Sequence, residues 1–195
     1  MQKVTKELLG AVQKGMVQLP NIDTSNIANW DFTCPHSLLK FFQLRENHLI
    51  QNLGESLSEG MAKGKSLFEI WMKEQSDVIQ ACAKAYGERI ILEQFMANIQ
   101  RADSSLKPIL TKLCQLYALW IIEQDLAFFL IAGFVSSTTA IKISQLVHQL
   151  IKEIAPYALD LVNSFGIVTY APIANDWVKY NQTDNQGELV FKAKL

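Results

Sequence analysis

The sequence is short of the residues that break or staple a chain. Five prolines and nine glycines are spread over 195 positions, so few points interrupt a long regular element. No Asn-Gly or Asp-Gly falls between alternating runs, and the strongest short-range hairpin signal is therefore missing. Cysteine is scarce and odd in number: Cys34, Cys82 and Cys114, with no Cys-x-x-Cys pair and no secretory leader before them. A disulfide framework is excluded and a reducing interior compartment is expected. Charge is thin and balanced, with 18 Lys and Arg against 19 Asp and Glu for a net −1. Nucleic acid is not the expected partner, because phosphate binding needs a concentrated basic surface. An unbroken membrane span is missing too. The most apolar stretch, Leu116 to Val135, is interrupted by Glu123, Gln124 and Asp125, and a charge at that depth costs about 2.5–3.5 kcal/mol. A buried core helix explains the same residues without that cost.

What is present is apolar side chain, 49% of the total. Together with the low net charge this excludes disorder and predicts a soluble intracellular globule able to bury a core. Its periodicity is helical. Residues 1–18 set Val4, Leu8, Val12 and Met16 beside a basic face of Lys3, Lys6 and Lys14. A polar loop follows, ending near Trp30-Asp31-Phe32. Thr33 reads as an N-cap with Pro35 just inside the helix, where its missing N–H costs nothing. That helix carries Leu38, Phe41, Phe42, Leu49 and Leu53, is weakened by Gly54, Gly60 and Gly64, and reaches a boundary near Gly64.

Three further stripes follow at helical spacing: Ile79, Cys82, Tyr86 and Ile90, extended by Phe95; then Ile109, Leu113, Leu116 and Trp120; then Ile143, Val147, Leu150 and Ile154. The last is launched from the capping cluster Ser136-Ser137-Thr138-Thr139. Pro156 must kink or restart that helix, and Ala158, Leu161, Val162 and Phe165 resume the pattern until Gly166. The expected fold is all-α, an up-and-down bundle of four to five long helices with a polar C-terminal tail. Residues 1–181 form the helical domain, with 1–33 its less regular entry, and residues 182–195 the tail.

Candidate chemistry is sparse. Gly60-Met61-Ala62-Lys63-Gly64-Lys65-Ser66 has three residues between its first glycines where a phosphate loop needs four, and no strand precedes it. It reads as a helix junction with solvated lysines. His36, His48 and His148 lack metal-ligand spacing with each other or with the cysteines; His48 reads as solvated and His148 as the edge of a stripe. No Gly-x-Ser-x-Gly elbow accompanies them. Glu93 and Asp125 read as salt-bridged or solvated carboxylates. Cys82, Cys114, Trp71 and Trp120 read as bundle packing. No catalytic residue and no metal site is expected from these patterns. The chain ends Ala193-Lys194-Leu195, a variant of the peroxisomal Ser-Lys-Leu address, after the turn-rich run Asn181 to Gly187 that keeps the end accessible.

Three segments carry a resemblance. Leu113-Cys114-Gln115-Leu116-Tyr117-Ala118-Leu119 resembles the Leu-Cys-x-Leu-Tyr-x-Leu helix of the peroxisomal acyl-CoA oxidases. Ile154 to Phe165 resembles their Arg-Pro-x-Ala-x-x-Leu-Val-Asp-Ala-Phe segment, with Ala155 at the Arg position and Asn163 at the Asp position. Ala171-Pro172-Ile173-Ala174 resembles a stretch just after it. The three occur in family order, and the match covers most of residues 75–195.

The resemblance implies the C-terminal helical domain of an enzyme that oxidises acyl-CoA to trans-2-enoyl-CoA on FAD, with oxygen reduced to hydrogen peroxide. It also implies that the glutamate base, the flavin-binding β-domain and most of the flavin site lie upstream of Met1-Gln2. This chain is then expected to bind no FAD by itself. Its implied partners are the catalytic flavin domain or a second subunit, and the import receptor that reads the C-terminal tripeptide in the peroxisome. The alternative is a free-standing helical interaction module without flavin ancestry.

Overall fold

The computed structural model describes Ile22, Ile27 and residues 30–166 of the chain, which divides into two compact units, Met1–Ile151 and Lys152–Leu195. The helix expected over 1–18, the Ala171 to Ala174 motif and the C-terminal tripeptide lie outside the described residues. Among the described residues every regular element is helical.

In the first unit, α1 (Pro35–Ala62) starts with Pro35 in its first turn, as its fixed φ favours. Thr33 is not the cap. Its N–H and Oγ1 both donate to Asp31 Oδ1, at 2.8 and 2.6 Å, so its hydroxyl is committed to a local turn. Cys34 takes the cap position in extended backbone without a side-chain bond to the helix. Gly54 and Gly60 do not interrupt α1 over its 28 residues. Gly60 has a packing reason instead: a Cβ there would stand 2.6 Å from Ile70 Cδ1 and 2.8 Å from Ile70 Cγ1. The helix stops at Ala62, and Gly64 follows at φ +77°, near the expected boundary.

A helical turn, Leu67–Glu69, is capped by Ser66 Oγ, which accepts from the Glu69 N–H at 3.2 Å. It runs into a π-helical turn, Ile70–Glu74. Next come α2 (Ser76–Arg101), α3 (Lys107–Gln124), the short α4 (Leu126–Ile131) and α5 (Ser137–Ile154). Ser136 caps α5, its Oγ accepting from the Thr139 N–H at 3.2 Å, as the hydroxyl cluster predicts.

The main core joins α1, α2, α3, α4 and α5 through Leu38, Phe41, Phe42, Leu92, Leu119, Ile122, Phe129 and Ile143. A smaller cluster gathers Ile50, Leu53, Leu57, Ile70 and Cys82, with Trp71 against it. The α5 stripe Ile143, Val147, Leu150 and Ile154 is buried as expected. Two stripes are rotated from their expected faces. On α2 the buried line is Cys82, Ala85, Leu92 and Ile99, leaving Tyr86 and Ile90 half-buried. On α3 it is Cys114, Ala118, Leu119, Ile121 and Ile122, while Trp120 is 48% exposed.

The described part of the second unit breaks helix at Pro156 into a 3-10 turn, Ala155–Tyr157, and restarts as α6 (Ala158–Ser164). Gly166, at φ +60°, follows it. Pro156 and Gly166 therefore act as the sequence predicts, although Leu159, Val162 and Phe165 are exposed rather than packed within this unit.

Candidate functional site

The expected candidates for acid–base or metal chemistry stay apart. Among the described residues no group of three His, Cys, Asp or Glu side chains is placed to hold a metal ion. His36 and His148 are exposed. His48 is not solvated as its polar neighbours suggested: its ring packs edge-on against Phe128 and Phe134, at centroid distances of 5.4 and 5.7 Å. At the glycine junction Lys65 Nζ pairs with Glu74 Oε1 at 2.5 Å, and Ser66 is spent on its cap. No phosphate cradle forms there. Cys82 and Cys114 are buried, and burial pushes each thiol up to about 11, the signature of packing cysteines rather than nucleophiles. No helix among the described residues is long and apolar enough to cross a membrane.

The structure adds a polar feature that composition concealed. Arg45 and Glu46 of α1 are buried and face Glu88 and Arg89 of α2 with signs reversed. Arg45 donates to Glu88 and to Asp125, which sits at the break between α3 and α4. Arg89 donates to Glu46 and, at 2.8 Å, to Glu93. Lys84 lies 3.8 Å from Glu88, and the Tyr117 hydroxyl donates to the Glu88 carbonyl at 3.3 Å. Asp125 and Glu93 are thus ion-paired, one of the two roles, salt-bridged or solvated, that the sequence leaves open. Each carboxylate of the network accepts from a guanidinium group, while the buried Arg45 Nε has no hydrogen-bond partner among the described residues. The network fixes the mutual register of three helices and offers no free acid or base.

The second feature is the outward side of α3. This helix is apolar almost all round, with Lys107, Lys112 and Glu123 its only charges, and such a helix is ordinarily buried on every side. Here one side enters the core. The other presents Leu113, Leu116, Tyr117 and Trp120, which with Ile151 of α5 line an open groove of about 310 Å³. Trp120 was expected inside the bundle; it stands at this groove, half exposed. A half-exposed tryptophan among aliphatic side chains is the composition of an interface centre rather than of a solvated face.

The groove does not fit a flavin. Its lining is apolar save for the Tyr117 hydroxyl, which is spent on the Glu88 carbonyl, and the single indole N–H of Trp120, and it lacks the converging N–H and cationic donors a dinucleotide pyrophosphate requires. The nearest guanidinium groups are held in the ion network. What the arrangement can do is dock an apolar surface.

The family model described as acyl-CoA oxidase matches residues 34–169. Peroxisomal acyl-coenzyme A oxidase 1 of Phascolarctos cinereus is 27% identical over 166 residues, which cover 82% of this chain and 25% of that protein. A putative acyl-coenzyme A oxidase of Arabidopsis thaliana is 29% identical over 152 residues, 76% of this chain and 80% of that relative. Among solved structures, acyl-CoA oxidase 3 from Yarrowia lipolytica superposes with a TM-score of 0.75 at 22% identity, covering 92% of this chain and 29% of that one. Acyl-CoA oxidase-1 of Caenorhabditis elegans, complexed with FAD and ATP, gives 0.73 at 19% identity, covering 85% of this chain and 26% of that one.

The structural likeness shows a shared helical fold. The chain spans about a quarter of the Phascolarctos cinereus relative. Relatives from Phascolarctos cinereus, Dictyostelium discoideum and Arabidopsis thaliana are named peroxisomal, which supports the localisation expected from the sequence. An origin outside flavin enzymes is set aside. With its model matched over more than half of the sequence, the chain belongs to the acyl-CoA oxidase family.

Proposed function

We propose that this chain is the C-terminal helical domain of an acyl-CoA oxidase-like protein of peroxisomal fatty-acid β-oxidation, an assembly domain rather than a catalyst by itself. The parent reaction is the FAD-dependent oxidation of acyl-CoA to trans-2-enoyl-CoA, with oxygen giving hydrogen peroxide. In this reading residues 1–181 form the domain and residues 182–195 a tail whose Ala193, Lys194 and Leu195 are read by the peroxisomal import receptor. The partners are the flavin-bearing catalytic domain and a second subunit.

One observation carries the reading: α3 is apolar almost all round yet enters the core on one side, with Trp120 half exposed on the other. An apolar face of this kind marks an interaction site. The test is reconstitution. The chain, mixed with the flavin-containing portion of a longer relative that lacks its own helical domain, should co-elute with it; Trp120→Glu should abolish this without altering helix content. Failure of the wild-type chain to associate would overturn the assembly role. The purified chain, supplied with FAD and acyl-CoA, should release no hydrogen peroxide; turnover would overturn the non-catalytic reading. Deleting Leu195 should leave a tagged chain outside peroxisomes, and an unchanged punctate pattern would remove the address.

A further inference from the structure

Helix α6 has only seven residues, Ala158–Ser164. Helices shorter than about 12–15 residues are marginal in water unless tertiary packing covers an apolar face. Such a face exists here. Leu159, Val162 and Phe165 recur every three residues, which sets them within about 120° of one another around the helix axis. They are 72%, 65% and 71% exposed, and Tyr157 just before the helix is exposed as well. Whatever covers this face has to be apolar and close at hand.

The end of α6 shows where the chain goes next. Phe165 is the C-cap, and Gly166 follows at φ +60°, the left-handed conformation that turns a chain back at a helix end. The Gly166 N–H donates to the Asn163 carbonyl at 3.1 Å, the inner bond of a Schellman motif. That motif packs the residue after the left-handed glycine against the third residue before the cap, here Ile167 against Val162. The sequence beyond Gly166 suits that contact. Ile167-Val168-Thr169-Tyr170 is largely apolar, and no charge occurs before Asp176. Reach is sufficient too: Phe165 back to Leu159 is about 9 Å of helix, and three or four extended residues span about 10–13 Å. We infer that residues 167–170, which lie outside the described residues, fold back along α6 as a strap that covers Leu159 and Val162. Both belong to the one unit Lys152–Leu195. The polar residues 182–195 take no part in the contact.

Hydrogen exchange of the full chain, read by mass spectrometry across residues 161–165, tests this. In the wild type these amides should exchange about tenfold slower than in Ile167→Asp, since burial of one Val or Leu side chain shifts an equilibrium by at least that factor. Val162→Lys should lose the same protection. Val162→Lys with Ile167→Asp should regain part of it, a charge pair replacing the apolar contact. Deleting residues 182–195 should change nothing. Exchange across α1 to α5 should be the same in all variants, which separates a lost strap from a misfolded chain. Protection of α6 that ignores Ile167→Asp, or a double variant no better than either single one, would overturn the inference. So would protection that appears only when the flavin-containing portion is added; that portion is then the occupant, and the assembly role stands without the strap. If α6 is protected in the chain alone but the chain fails to associate, the assembly role falls and the strap stands.

Discussion

Replacing Arg45 by Met should be the most damaging single change outside the apolar core. The guanidinium is buried, with its side chain only 4% exposed, and it bridges Glu88 at 13% and Asp125 at 28%. Removing it leaves two carboxylates without their counter-charge, and breaking a buried pair from one side costs about 3–5 kcal/mol. The lower end applies here, because Asp125 can turn to water and Lys84 remains 3.8 Å from Glu88. A loss of about 3 kcal/mol corresponds to a fall in Tm of roughly 6–12 °C for a chain of this size. Urea unfolding followed by far-ultraviolet circular dichroism measures it, with an unchanged m-value confirming that stability and not compactness has moved.

If the damage comes from stranded charge, Arg45→Met with Glu88→Leu should be more stable than Arg45→Met alone, since an apolar pair of similar volume replaces a buried ion pair at little cost. Arg45→Lys should fall between, because an ammonium cannot hold the two-pronged geometry that reaches both carboxylates. A loss below about 1 kcal/mol, the range of exposed pairs, or a double variant no better than the single, would refute the account.

Other outcomes follow from the same physics. Gly87→Ala should stabilise the chain by about 1 kcal/mol, because Gly87 lies inside α2 with open space where its Cβ would go. Gly60→Ala should not share that gain: the same helix benefit meets an overpacking cost of about 1–3 kcal/mol against Ile70, which is fully buried. Chemical unfolding compares the two directly. Ser136→Ala should cost about 1 kcal/mol through the lost cap of α5, while Thr33→Ala, at a residue that caps nothing, should cost less. Of the three thiols only Cys34 should react rapidly with a disulfide reagent in the native state, and all three after unfolding. Burial raises Cys82 and Cys114 from 9.0 to about 11, so the unfolded chain loses their protons first. Their contribution to stability is complete below pH 9 and is lost as pH rises to about 11; a urea midpoint that rises over that window contradicts the burial.

Legibility in the sequence tracks how one-sided each helix is. The α5 stripe was readable because exposed polar residues such as Lys142, Gln145 and His148 separate its apolar positions, and Ser136 marks where it begins. Pro156 and Gly166 were readable because their backbone limits do not depend on neighbours. The Arg45 network was missed because charged residues default to solvent. Its trace is local: Arg45-Glu46 in one helix and Glu88-Arg89 in another are the same dipeptide reversed, the pattern that two facing helices need to neutralise each other.

On α3 the failure is more informative. Several different lines at helical spacing are apolar, so Ile109, Leu113, Leu116 and Trp120 pass the test for a buried stripe as well as Cys114, Ala118, Leu119, Ile121 and Ile122 do. Periodicity cannot rank two faces that both satisfy it. A helix with two apolar sides needs two neighbours, and the core supplies one. The stripe that the sequence put in the wrong place therefore marks the side on which α3 still needs a neighbour.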